Sequence, residues 1–359
     1  MVKYKCERCG KDFSQKSHYD SHKIRKTPCE NIYKDFEEKL KNLKNNKLRI
    51  ASIFAGCGGL DYAFHKQPDK YEVVYVNDFD MDSCKTYENN YKIKPNCEDI
   101  TKIEMIPDCD ILTGGFPCQG FSVANLYRTE TDNRNKLYLE LVRLLKLKKP
   151  KYFIFENVKG ILSLGGYENN DDKKKNKGKV FKMIVSDLEN CGYQVNTKLF
   201  KLKWYDIPQN RERVIFIGIR NDISHKIQFE WPTEKKEITK TLNDAIGDLP
   251  IEYEEELQHV GTKHKVKITG YMGNRKLNWD EISPTITGRG SGGGGPVINI
   301  HPSGERRMTV REYARIQTFP DDFIFEGSIS SMYRQIGNAV PPKFSNVLTN
   351  LIDKLNNQL

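Results

Sequence analysis

The sequence predicts an α/β protein with a doubly wound sheet, an irregular segment late in the chain and a compact Cys/His module at its start. Three observations predict it. Between Leu48 and about Ile219, short β-rich runs alternate with helical stretches, the pattern of a mainly parallel sheet covered on both faces. A glycine turn follows the first of those runs directly, as a ligand-binding βα turn does. Three of the nine cysteines crowd into the first 29 residues, which points to metal.

Composition sets the outer bounds. With 359 residues, 37% of them hydrophobic and 11% aromatic, the chain can bury a sizeable core in one large domain or two. No stretch approaches a membrane-spanning apolar run, and MVKYKCERCG lacks the apolar core of a secretory signal, so a soluble intracellular protein is expected. An odd cysteine count without such a signal argues against a disulfide framework. The net charge of +10 is uneven: residues 1–49 hold 14 Lys/Arg and 7 Asp/Glu, leaving only +3 for the rest. A basic arm suits a polyanionic partner, although lysine-rich surfaces also serve plain solubility.

Taken in order, residues 1–30 come first. Cys6-x2-Cys9-x3-Phe13-x5-Tyr19-x2-His22 matches a C2H2 zinc finger, its two core hydrophobes included. Where a second histidine is expected the chain has Lys26, Thr27 and Pro28, and Cys29 follows. Cys6, Cys9, His22 and Cys29 are therefore the expected Zn2+ ligands, with His18 as substitute for the fourth. One finger reads about 3 bp, so the module adds affinity, contacts a partner protein or only stabilises the arm. Residues 31–47 place Tyr33, Phe36, Leu40 and Leu43 at helical spacing, as a connector or a docking helix.

The sheet region, 48–220, contains LRIASIFAG, EVVYVNDF, DILTGGF, YFIFENV, YQVNTKLF and RVIFIGI as strands, with helices over 80–91, 135–147 and 178–190. GGYENNDDKKKNKGK (165–179) reads as a charged, mobile surface loop. Residues 221–305 lose periodicity, and GRGSGGGGP is too glycine-rich for a regular element, so a separate small domain is expected there. From 306 to 359 helical spacing resumes, closing with a helix that has proline at its start.

The chemistry-bearing residues fall at strand ends. Ala55-Gly56-Cys57-Gly58-Gly59 after the first strand allows close approach of a ligand to backbone, although a purely structural turn reads the same. Asp78, about 20 residues on, suits ribose hydroxyls, Phe79 suits stacking on adenine, and the carboxylate of Asp99 suits an adenine amino group. These say nucleoside cofactor, nicotinamide dinucleotide or S-adenosylmethionine. GGFPCQGFS puts Cys118 on a loop at the sheet's carboxyl edge, where a buried structural cysteine is the competing reading. ENV and IPQNRER add Glu156 and the arginines Arg211 and Arg213.

The ordered set FAGCGGL, VNDFD, EDI, GGFPCQGFS, ENVKG, IPQNRER, RRMTVREYARIQTFPDDF and YRQIGNAVPP resembles the DNA cytosine-5 methyltransferases, over residues 48 to 359. The resemblance implies a Rossmann-like S-adenosylmethionine-dependent methyltransferase sheet, with 221–305 as target-recognition domain. Cys118 matches the nucleophile that adds to cytosine C6, Glu156 the group at the cytosine N3 and amino edge, Arg213 the arginine at O2, and Arg211 a further arginine of that block. Cofactor contacts carried over are Phe54, Cys57, Gly59, Asp78, Phe79, Asp99, Ile100, Pro117, Leu137, Asn338 and Ala339. Gln119 and Ser122 lie on the loop expected to close over a base flipped from double-stranded DNA. In the recognition segment, Arg275, Thr285, Thr287 and Arg289 are the groups suited to base edges, and loop shaping is the alternative role. A monomer, with a cognate restriction endonuclease acting on the same site, completes the expectation. Three other readings compete. A transfer-RNA cytosine methyltransferase usually carries Cys-Phe-Thr in this segment, which the chain lacks; an idle DNA-binding protein conflicts with an intact catalytic set; a dehydrogenase leaves Cys118, Glu156 and Arg213 without work.

Overall fold

The computed structural model describes residues 4–9, 11–24, 47–116, 133–262, 275–288 and 299–359, with backbone alone for 133–136. The chain divides into two units, Met1–Leu48 and Arg49–Leu359. In the first, strands β1 (Tyr4–Lys5) and β2 (Asp12–Phe13) pair antiparallel, Tyr4 opposite Phe13, and helix α1 (Lys16–Lys23) follows. Phe13 packs against Tyr19 and His22, with ring centroids 5.9 Å and 4.9 Å apart. Cys29 lies outside the described residues, as does the connector helix expected over 31–47 except for Lys47.

The second unit runs β3 (Leu48–Ile53), β4 (Tyr71–Asp78), α2 (Met81–Tyr91), β5 (Asn96–Cys97), β6 (Ile111–Gly114), α3 (Asn133–Lys148), β7 (Tyr152–Val158), α4 (Lys179–Glu189), β8 (Tyr193–Lys201), β9 (Gln209–Asn210) and β10 (Glu212–Arg220). It continues with β11 (Ser283–Pro284), α5 (Val310–Ile316), α6 (Ile329–Asn338) and α7 (Pro342–Asn356). Among the described residues seven strands form one sheet in the order β5-β4-β3-β6-β7-β10-β8. β3, β6 and β7 are parallel neighbours, whereas β10 runs antiparallel to both β7 and β8.

Local chemistry explains the elements. β7 has six of its seven residues buried, as a strand covered on both faces must. α4 buries Val180, Phe181, Ile184 and Leu188, a helical stripe. α5 starts with a capping box between Thr309 and Glu312. The run 165–179 departs from expectation. It holds a helical turn, Asn170–Lys175, because Asn169 caps the N–H of Asp172 and acidic residues occupy the first turn.

Strand order reverses at β3, so the carboxyl ends of β3 and β6 diverge into a crevice at the switch point. The described part of 221–305 is irregular, with one short helix at Leu242–Ile246 and β11 paired parallel to β9. Its Leu242, Ile246, Leu277 and Ile286 pack in one apolar cluster with Val310, Tyr313, Ile316 and Phe319. Among the described residues no helix is long and apolar enough to cross a membrane.

Candidate active site

The glycine turn after β3 is held from two sides. Phe54, the residue leaving the strand, has φ 55°, a left-handed conformation that costs a β-carbon residue about 1–2 kcal/mol and recurs at functional sites. From one side, Asp78 Oδ2 accepts the Gly56 N–H at 2.7 Å while Oδ1 accepts that of Asp80 at 2.9 Å. Each oxygen keeps a lone pair for a ribose hydroxyl. From the other side come the residues after α6: a Cβ on Gly59 would collide with the Val340 carbonyl and crowd Ala339 at 3.2 Å. The Cys57 thiol faces the Gln335 carbonyl at 3.9 Å, and burial pushes it up to about 12, which removes it as a nucleophile.

The turns after β4 and β5 are similarly ordered. Asn77 Nδ2 donates to the Asn96 and Glu98 carbonyls at 2.9 and 2.8 Å, tying β4 to the turn that carries Asp99 and Ile100. Asp99 Oδ1 caps Thr101 at 2.9 Å, and among the described residues its other oxygen is unengaged. Ile100 is buried, whereas Phe79 leaves its ring 73% exposed. Leu137 packs on the same core cluster as Phe54. The structure thus gathers Phe54, Cys57, Gly59, Asp78 and Ala339 around one turn, and it fixes Phe79, Asp99 and Ile100 along the next two.

Pro117, Cys118, Gln119 and Ser122 lie outside the described residues, but the chain leading to them is fixed. Glu156 Oε2 is 3.5 Å from where a Gly115 side chain would start, and Asn157 Nδ2 donates to the Phe116 carbonyl at 3.0 Å. Pairing of β7 with β10 sets Ile215 opposite Glu156 and Arg213 two residues away on the same face. The outcome is an ion pair, Arg213 Nε to Glu156 Oε1 at 2.5 Å, both residues 8% exposed. Burial lowers the Arg213 guanidinium from its ordinary value and Glu156 opposes that shift.

Arg211 has a different setting from Arg213. It is fully buried, and its terminal nitrogens donate to the carbonyls of Ile286 (2.7 Å), Gly337 (3.0 Å) and Ala339 (2.8 Å). It braces main chain from two segments. Gln209, also fully buried, accepts the Ile286 N–H and donates to Gln317, each at 2.9 Å, and Gln317 donates to the Ile336 carbonyl at 2.6 Å. Arg211→Leu is expected to take this donor from the Ile286 and Gly337 carbonyls, the Ala339 carbonyl keeping Gln317 Nε2 at 3.4 Å, and to cost about 2–4 kcal/mol. A thermal unfolding midpoint lowered by several degrees, in chains that still bind DNA when cold, is the measurement.

The structure also describes the two threonines of the recognition segment. Thr285 donates its hydroxyl to the Asn210 carbonyl at 2.5 Å, and Thr287 Oγ1 is buried, without a partner among the described residues. A Cβ on Gly337 would collide with the Thr287 carbonyl group, and one on Gly288 with the Asn338 side chain, so this segment and the end of α6 touch backbone to backbone. Arg275 is exposed, and Arg289 lies outside the described residues.

In the N-terminal unit, the Cys6, Cys9 and His22 ligand atoms lie within 4.8 Å of one another, with Cys9 Sγ 3.2 Å from His22 Nε2. The backbone N–H of Cys9, then that of Arg8, holds the Cys6 thiol at about 6 against the raising effect of burial. Two thiols and an imidazole fit zinc. His18, the expected substitute, is exposed and outside this cluster.

Sequence reasoning missed Asp61, which is fully buried beneath the turn and accepts from Thr113 and Tyr87 at 3.2 and 3.1 Å; burial raises its carboxyl. A lone acid two residues after Gly59 was the available signal.

A switch-point crevice with a braced glycine turn, and a carboxylate–guanidinium pair one strand away, define an α/β enzyme acting through a nucleoside cofactor. Residues 48–355 match the model of the C-5 cytosine-specific DNA methylases, and the chain belongs to that family. It is 35% identical over 335 residues to Type II methyltransferase M.NgoFVII of Neisseria gonorrhoeae, covering 84% of this chain and 85% of that one. It is also 35% identical over 360 residues to M.BsuRI of Bacillus subtilis, covering 84% and 78%. A solved candidate DNA modification methyltransferase from an Escherichia coli prophage superposes with TM-score 0.67 at 22% identity, over 87% of this chain and all of that one. The protein is an S-adenosylmethionine-dependent DNA cytosine-5 methyltransferase.

Proposed function

We propose that Cys118 is the nucleophile on a cytosine flipped out of duplex DNA, with Glu156 and Arg213 as its electrostatic partners. The observation that carries this is the buried Glu156–Arg213 pair, fixed beside Gly115 and Phe116, the two residues that lead into Pro117-Cys118. The Cys118 thiolate adds to C6, forming an S–C6 bond and pushing the 5,6 π-electrons toward C5 as an enamine. Glu156 meets the N3 and amino edge, and Arg213 meets O2, where negative charge collects. S-adenosylmethionine, held on the cofactor side, would supply the methyl, its methyl–sulfonium bond breaking and the neutral thioether leaving as C5 takes the carbon. Loss of the C5 proton and cleavage of the S–C6 bond restore the ring and the thiolate.

Asp78, Phe79, Asp99, Ile100, Gly59, Ala339 and Asn338 line the cofactor side in this reading. Phe79→Ala is expected to weaken the cofactor by about tenfold or more, since stacking on a base is worth about 1–3 kcal/mol. Its exposed ring leaves the melting midpoint of the cofactor-free protein unmoved; calorimetric titration with S-adenosylmethionine checks both. Sequence choice belongs to 221–305, with Arg275 and Arg289 as its base-reading groups. Cys6, Cys9, His22 and Cys29 hold structural zinc. The names of the Type II relatives support a role beside a cognate restriction endonuclease.

A mixed-sequence duplex carrying 5-fluorocytosine tests the reaction path, because fluorine at C5 blocks the final elimination. With cofactor present, a covalent protein–DNA band mapping to Cys118 is expected. No trapped band under turnover conditions overturns the path.

A further inference from the structure

The N-terminal unit carries a face that metal binding does not use. α1 commits Tyr19 and His22 to Phe13 and the cysteine cluster. Gln15, the residue just before α1, and His18 and Ser21, its third and sixth residues, are all exposed. Those are the places from which a finger helix reaches three successive base pairs in the major groove. Each is a polar side chain able to bond a base edge, and the Gln15 amide offers the donor–acceptor pair that adenine N6 and N7 require. His18 is free for this because it stands outside the ligand cluster. Lys5, Arg8, Lys11, Lys16 and Lys23 are exposed on the same small unit, the cations that phosphates on both sides of a groove call for.

We infer that α1 is a second DNA-reading element, which grips three base pairs of the substrate duplex outside the methylated site, with adenine favoured opposite Gln15. The inference rests on the zinc reading of Cys6, Cys9 and His22. Duplex DNA is favoured over a protein partner because the enzyme already holds such a duplex and residues 1–49 carry 14 Lys/Arg against 7 Asp/Glu. The finger then extends the sequence that the enzyme prefers beyond what 221–305 selects.

The test uses the full chain and duplexes with one constant methylation site and randomised flanks, methylation being read by bisulfite sequencing. Zinc per chain is measured in parallel. The wild-type chain is expected to hold one zinc and to favour a short flanking motif containing adenine. The triple variant Gln15→Ala, His18→Ala, Ser21→Ala is expected to keep its zinc and its kcat, raise KM for DNA about tenfold and lose the flank motif. Gln15→Arg is expected to exchange adenine for guanine at one flank position, a change that a merely structural role does not produce. Zinc retained with KM and flank profile unchanged in the triple variant overturns the DNA reading while the metal reading stands. Absence of zinc from the wild-type chain overturns the metal reading, and this inference with it.

Discussion

A Cys118→Ala protein is expected to lose methyl transfer by about 10⁴-fold or more, as enzymes do when their nucleophile is removed. Incorporation of tritiated methyl into DNA measures it. Binding of duplex and cofactor is expected to persist, since neither depends on the thiol. The effect is predicted to be this large because Cys57, Cys84, Cys109 and Cys191 are not suited to take over. Burial raises the thiols of Cys57, Cys84, Cys109 and Cys191, with Cys57 and Cys109 reaching about 12, so little thiolate exists there near neutral pH. Residual activity above about one part in a hundred would mean that the nucleophile lies elsewhere.

The second large effect is expected from Glu156→Gln. The amide keeps the shape but removes the charge that faces Arg213 at 2.5 Å and that would neutralise a protonating pyrimidine edge. A fall in kcat of about 10²–10³ is expected, the scale of removing one preorganised electrostatic group. The substitution also leaves the buried Arg213 guanidinium uncompensated, so stability must be separated from catalysis. Cofactor titration and the unfolding midpoint make that separation. Loss of kcat with cofactor affinity retained supports the assignment, and unchanged kcat defeats it.

Much of the fold was legible because its signals are local. Six apolar runs bounded by glycine, proline or acidic residues became the six long strands, and the three predicted helices agree with α2, α3 and α4 to within two residues. The reversal of β10 was not legible, since a buried run such as RVIFIGI has the same composition in either direction. At the site, Arg211 and Arg213 look equivalent in QNRER. Only their tertiary neighbours separate them: three carbonyls around one, a carboxylate beside the other. The helical turn at 170–175 was readable from Asn169 followed by acids, but its charge density concealed it.

The contact between Thr287-Gly288 and Gly337-Asn338 bears on how such enzymes acquire new targets. A graft that replaces the variable stretch inserts foreign chain into a seam with no space for a methyl group at Gly337. The graft must therefore keep Ile286, Thr287 and Gly288 of this chain, with the Ile286 carbonyl where Arg211 can reach it. Chimeras that replace these three residues are expected to be insoluble or inert, and those that keep them while exchanging the stretches on either side to retain a folded catalytic body.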